Sequence, residues 1–269
     1  MKSAILILVL LFLFPSPSEA RQVTEQQILE WTSSAGQMIY SYHTSFDLAV
    51  QTIRSSADEE FIPEIYAGGP YNDGWAFSFG AFNEDSEFIL DYGVIVGGNG
   101  EILNFDAFDF HRPASFYHNL AANALQVVQQ EFEQLRLESD DFTADYYRFA
   151  VLPFPREHVT AFVSPYDNCP EVSYFGNDVT YLIDRRTLEI KSHNRYHHRL
   201  LPLPIELPEN AVTAMLDVPN APYPSPLDIY QTIRRGKPMI IRTANGFFNI
   251  SPAGSIEKIP DDNPMVKGF

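Results

Sequence analysis

The sequence predicts an α+β protein, with a mostly antiparallel sheet built from hairpins and an N-terminal and a middle helix packed on it. Two long segments place apolar residues at helical spacing, and several short segments alternate large apolar residues with small or polar ones. The strand-like segments come in consecutive pairs joined by turn-forming residues, such as Asn99-Gly100. Consecutive pairs of this kind favour antiparallel pairing.

Residues 1–20 have the features of a signal peptide. Lys2 gives a short basic start, residues 4–14 are almost purely aliphatic, and Ser18 and Ala20 stand where a signal peptidase reads small residues. The aliphatic run is shorter than the roughly 20 apolar residues that span a bilayer. We therefore expect cleavage after Ala20, a secreted or periplasmic location, and no membrane span.

The first predicted helix lies in an N-terminal helical segment, residues 21–57. Thr24 and Gln27 have the spacing of a capping box. An apolar stripe follows at steps of three and four: Ile28, Trp31, Ala35, Met38, Tyr42, Phe46, Ala49 and Ile53. Small residues such as Ser33 and Gly36 interrupt its middle, so the segment is either one kinked helix or two shorter ones.

An α+β domain is predicted over residues 58–258. Its glycines and turn formers predict a loop at residues 67–74. Alternating residues then predict strands at 75–82, 88–96 and 101–110, and Ser115 begins the middle helix.

Two more hairpins are predicted in the C-terminal half. Residues 179–183 pair with 188–196, and residues 239–243 pair with 247–250 through a two-residue turn at Asn245-Gly246. Between them, the proline-rich stretch 201–224 is expected to run irregularly over the surface. A short helix should begin after Ser225, with Asp228 completing its cap, and end at Gly236. Residues 259–269 form a predicted tail.

The composition restricts the classes of partner. A net charge of −17 opposes binding to nucleic acid or to an anionic membrane, and is compatible with plain solubility or with a cationic ligand or metal. Cys169 is the only cysteine, so no intrachain disulfide forms and we expect a free thiol. Redox chemistry at that thiol is one of three functional classes compatible with the sequence, beside a binding module and a metal-dependent hydrolase. No motif indicates a cofactor.

Two groups of residues are candidates for metal binding. Asp106, Asp109 and His111 lie at the end of a predicted strand and could hold a divalent ion, although a polar strand edge also explains them. His193 and His197 would lie about 13 Å apart on a strand, too far to share an ion, and His198 would point to the opposite face. We expect these histidines to be exposed strand residues.

Ser225 and Asp228 are also part of a local resemblance. The segment from Leu216 to Asp228 resembles the zinc-binding layout of the JAMM/MPN metalloproteases, in which a His-x-His-Pro segment precedes Ser-x-x-Asp. Leu216 and Val218 occupy the two histidine positions, so zinc would lose two of its three protein ligands. A helix cap accounts for Ser225 and Asp228 without a metal.

The C-terminal third, from Val172 to Ile256, resembles a group of uncharacterised exported bacterial proteins. The likeness rests on the strand around Gly176-Asn177-Asp178, the basic turn at Arg185-Arg186, and the helix–hairpin unit that starts near Ser225. The resemblance implies a bacterial origin and no particular activity. We expect a soluble exported binding or accessory module with a protein or small-molecule ligand; the alternative is a secreted metal-dependent hydrolase.

Overall fold

The computed structural model describes residues 23–56, 65–142, 144, 146–152, 157–166, 172–197, 199–204, 206 and 213–267, with the backbone alone at 109–111. Within these ranges the helices are α1 (Glu25–Ser56), α2 (Phe116–Glu138) and α3 (Pro226–Arg235). The first nine strands are β1 (Ile65–Tyr71), β2 (Gly74–Phe82), β3 (Phe88–Val96), β4 (Ile102–Pro113), β5 (Tyr146–Leu152), β6 (His158–Tyr166), β7 (Val172–Phe175), β8 (Val179–Asp184) and β9 (Ile190–Arg195). The others are β10 (Leu201–Pro204), β11 (Ala214–Val218), β12 (Met239–Thr243), β13 (Gly246–Ile250) and β14 (Ile256–Ile259). The predicted α+β class, with an N-terminal and a middle helix, is confirmed.

The described strands are divided among several sheets. The first sheet has the order β1-β2-β3-β4, the second β5-β6-β8-β9, and the third β11-β12-β13-β14, while β10 pairs with β7. All of these pairings are antiparallel except β11 with β12. Hairpins therefore dominate, as predicted, and the parallel pair arises because α3 connects β11 to β12.

Helix α1 begins with the predicted capping box. The Thr24 N–H donates to Gln27 Oε1 at 2.9 Å, and the Gln27 N–H donates to Thr24 Oγ1 at 3.2 Å. The helix then continues unbroken to Ser56. Gly36 does not divide it, because this glycine is where α1 crosses α3: a Cβ there would lie 2.3 Å from Ile229 Cβ. None of the described helices is long and apolar enough to cross a membrane.

The inner face of α1 packs on the first sheet through aromatic rings. Tyr42 lies 5.1 Å from Trp75 and 5.3 Å from Phe77, measured between ring centroids, and both contacts are edge-on. The loop predicted at residues 67–74 is mostly strand β1, which corrects the sequence interpretation. Gly68 allows the Tyr42 ring to pack closely on β1, because a Cβ at this position would lie 2.5 Å from Tyr42 Cε2.

Helix α2 fills the space between the first and second sheets. Its N-cap is Ser115, as predicted, whose side chain accepts a hydrogen bond from the His118 N–H. The apolar face of α2 packs against β1, β5 and β6, in a cluster that includes Leu125, Phe132, Val159 and Tyr181. The middle helix therefore joins two sheets through one core.

The C-terminal unit combines α3 with the third sheet. Ser225 and Asp228 form the predicted capping box, and Gly236 ends the helix in the left-handed conformation with φ 67°. The last predicted hairpin is present, but its turn residues are Ala244 and Asn245, one position earlier than expected. Gly246, with φ 115°, already pairs with Thr243.

The proline-rich stretch contains more structure than its composition suggests. Residues 201–204 form β10 and residues 214–218 form β11. Leu216 and Val218 are buried in an apolar cluster with Ile229 of α3, so this part of the stretch is core rather than surface. Val266, in the predicted tail, packs against Ile240 and Ile259.

Candidate functional site

Three charged side chains from distant parts of the sequence meet in the interior. His197 Nδ1 lies 2.9 Å from Asp178 Oδ1, and His197 Nε2 lies 3.2 Å from Asp228 Oδ1. The three residues are 6%, 3% and 2% exposed, in the order His197, Asp178, Asp228. We call these residues the Asp–His–Asp cluster.

Backbone geometry positions two members of the cluster. Asp178 follows a sharp turn between β7 and β8, in which Gly176 has φ 85° and Asn177 has φ 52°. A side chain at Gly176 would collide with the Arg199 carbonyl oxygen. The close approach of these two segments keeps His197, which lies just beyond β9, beside Asp178.

The third member, Asp228, is held by the N-terminus of α3. Its Oδ2 accepts a hydrogen bond from the Ser225 N–H at 2.7 Å, while its own N–H donates to Ser225 Oγ at 3.1 Å. The positive end of the helix dipole also favours a carboxylate at this position. One oxygen therefore completes the helix cap, and the other faces His197.

His197 and Asp228 bind protons more tightly than the same side chains do in water. Burial acts to lower the pKa of His197, but the charges of Asp228 and Asp178, with the hydrogen bond to Asp178, raise it to about 10. Burial is the main cause that raises the pKa of Asp228, and the negative charge of Asp178 raises it further. The charge of His197 and the hydrogen bonds with Ser225 act in the opposite direction but do not cancel the rise. At neutral pH His197 is therefore an imidazolium whose two N–H groups face carboxylates.

A histidine in this state is not a general base, because neither ring nitrogen has a free lone pair. Among the described residues, no group of three or more His, Cys, Asp or Glu side chains could hold a metal ion. The arrangement joins three segments by charge. With both carboxylates ionised it carries one net negative charge into the interior.

A narrow crevice lies beside this cluster, and in this structure it has no room for a water molecule. It is lined by Ser164, Pro165, Phe175, Gly176, Asp178, Leu227, Asp228 and Gln231. Within the described ranges, Ser164 Oγ and Gln231 Oε1 are buried without a hydrogen-bond partner, and Asp228 Oδ1 has only the His197 contact. Buried polar atoms are normally paired, so these oxygens point to a missing donor.

The residues proposed for metal binding lie elsewhere. Asp106 is exposed on β4 and accepts a hydrogen bond from Asn104 Nδ2 at 2.7 Å. Asp109 and His111 are on the same strand, but their side chains lie outside the described structure. Cys169, the expected free thiol, also lies outside the described residues.

His193, His197 and His198 were predicted to be exposed strand residues, and the structure describes the first two. His193 is exposed on β9. His197 is not an exposed strand residue: it lies past the end of β9 and is buried, because its charge is compensated by two carboxylates. His198 lies outside the described residues.

The JAMM/MPN-like segment is built into the C-terminal unit. Leu216 and Val218, which replace the two histidines of that motif, lie in the apolar cluster under α3. Ser225 and Asp228 cap the helix. The partner of Asp228 is His197, which lies outside the resembling segment.

The chain was also compared with known proteins. No protein-family model, curated protein or solved structure matches it.

Proposed function

We propose that this protein is an exported binding module, acting outside the cytoplasm, whose crevice beside the Asp–His–Asp cluster takes a cationic hydrogen-bond donor such as an amine or guanidine. One observation carries the proposal: the unpaired oxygens of Ser164 and Gln231 and the Oδ1 of Asp228 line the same crevice. All three can accept a hydrogen bond. A ligand that donates several N–H groups would satisfy them.

Charge supports the same class of ligand. The cluster places two carboxyl groups and one histidine beside the crevice, and the chain as a whole has a net charge of −17. Both features attract cations and repel anions. Because Gln231 is 2% exposed and the crevice has no room for a water molecule, its walls must move apart to admit a ligand, and a small head group requires less movement than a bulky one.

Binding can be tested by calorimetry with methylammonium and guanidinium chloride at constant ionic strength. We expect saturable binding of at least one of them, and none of tetramethylammonium, which has the same charge but no N–H donor. Gln231→Met removes one acceptor and leaves the Asp–His–Asp cluster intact. It should weaken binding about 5-fold or more, the value of roughly one hydrogen bond.

The control is Gln126→Met, at an exposed position on α2, which should bind like the unmodified protein. Absence of saturable binding, or equal binding of tetramethylammonium, would refute the proposed ligand class. Stoichiometric zinc, iron or copper in the purified protein, measured by elemental analysis, would instead favour the secreted metal-dependent hydrolase.

Export has its own test, which does not depend on the ligand. The residues proposed to form the signal peptide, 1–20, lie outside the described structure, and α1 begins only at Glu25. We expect N-terminal sequencing of protein recovered outside the cytoplasm to begin at Arg21, whereas an intact Met1 on that material would contradict the assignment.

A further inference from the structure

A second histidine lies beside a serine in a different part of the fold. Ser78 Oγ and His118 Nδ1 are 2.6 Å apart. Ser78 is in the middle of β2, and His118 is in the first turn of α2. The distance is at the short end of the range for a nucleophile and its general base.

Ser78 is a polar exception on an aromatic strand. Its neighbours Phe77 and Phe79 point to the opposite face of the sheet, where they pack with α1. Ser78 itself faces α2, and the residue directly opposite it on β3 is Gly93. Since Gly93 has no side chain, the space beside the hydroxyl is bounded by the ring of Phe108, which a Cβ at Gly93 would meet at 3.4 Å.

The state of His118 suits the role of a base. Burial lowers the pKa of His118 below its ordinary value, so the ring is neutral at pH 7. A neutral ring protonated at Nε2 leaves Nδ1 free to accept the Ser78 hydroxyl proton. Nε2 faces Gly69, where a Cβ would lie 3.5 Å away, so no side chain from that position crowds it.

We propose that Ser78 and His118 form a nucleophile–base pair that hydrolyses esters of small acyl groups. Ser78 Oγ attacks the ester carbonyl carbon while its proton passes to His118 Nδ1, and the departing alkoxide takes that proton to leave as an alcohol. Water then attacks the Ser78 acyl ester with His118 as base, releasing the carboxylic acid and restoring the hydroxyl. Ser78 is only 4% exposed, which favours acetyl-sized groups over long chains.

Covalent labelling gives a direct test. We expect an organophosphate, diisopropyl fluorophosphate, to transfer one diisopropylphosphoryl group to the protein with loss of fluoride, located on Ser78 by peptide mass spectrometry. Hydrolysis of p-nitrophenyl acetate should show a burst of p-nitrophenol. His118→Gln should reduce the labelling rate at least 100-fold, the usual contribution of a general base.

A matched control separates chemistry from folding. Ser78→Ala should abolish labelling, whereas Ser173→Ala, at a buried serine on β7 that does not contact His118, should label like the unmodified protein. Circular dichroism must show both variants folded; if Ser78→Ala does not fold, the labelled peptide and the pH dependence in unmodified protein decide. Labelling that rises with the deprotonation of a group below pH 6.5 supports the pair, and no label on Ser78 in folded protein overturns it.

Discussion

Replacing His197 with phenylalanine should destabilise the protein by about 3–5 kcal/mol, the usual cost of leaving a buried charge without its partner. Phenylalanine fills a similar volume, so Asp178 and Asp228 should stay buried. Their carboxylates would then face an apolar ring in place of the imidazolium. Urea denaturation at pH 7 measures the change in unfolding free energy.

Two controls identify the cause. His193→Phe, at an exposed position on β9, should change the unfolding free energy by less than about 0.5 kcal/mol. Adding Asp178→Asn and Asp228→Asn to the His197→Phe variant removes both stranded charges and should recover a large part of the loss. A His197→Phe variant as stable as the unmodified protein would show that the three charges do not hold the interior together.

The same cluster should give the protein an alkaline limit of stability. His197 has a pKa of about 10 in the folded state, above the value of about 6.5 for an unfolded histidine. The folded state therefore holds this proton more tightly, so its contribution is complete below pH 6.5 and is lost as the pH rises towards 10. The slope should approach about 1.4 kcal/mol per pH unit, and it should be absent in His197→Phe.

Gly36→Ala should be the second strongly destabilising change, although alanine is the better helix former by about 1 kcal/mol. The added Cβ would lie 2.3 Å from Ile229 Cβ and 2.7 Å from the Pro226 carbonyl oxygen. Neither atom is the end of a flexible side chain, so α1 and α3 must move apart. Overpacking of this kind costs about 1–3 kcal/mol, which urea denaturation will resolve.

Thr44→Ala is the matched control, because Thr44 is exposed on the same helix. There the helix preference acts alone, and the variant should be slightly more stable than the unmodified protein. If Gly36→Ala is also stabilised, the close crossing of α1 and α3 does not exist in solution.

Sequence patterns correctly predicted the features that depend on interactions between residues close together in the chain. The capping residues Thr24, Ser115 and Ser225 act on helix N–H groups within three residues, so their roles can be recognised from short sequence windows. Gly36 and Gly68 were interpreted as breaks in regular structure. Each is in fact required by a side chain from another element, Ile229 and Tyr42, which no local pattern contains.

The candidate site could not be predicted for the same reason. Asp178 and His197 are separated by 19 residues, and Asp228 arrives from a helix beyond the proline-rich stretch. His193 and His197 were predicted to be exposed residues of one strand, but the strand ends at Arg195. Asp228 was interpreted as a capping residue in preference to a zinc-site residue, and a cap accounts for one of its two oxygens.

Helix α1 is tied to residues near the other end of the chain. Ser33 Oγ donates to the Gly254 carbonyl oxygen at 2.7 Å, Gln37 Nε2 donates to that of Ala253 at 3.1 Å, and Lys258 pairs with Glu25 at 2.8 Å. During synthesis α1 is made first, yet its docking surface on α3 follows about two hundred residues later. A chain interrupted before α3 could still pack α1 on the first sheet, but the surface around Gly36 would lack its partner Ile229. The contact between α1 and α3 can therefore form only when the chain is nearly complete.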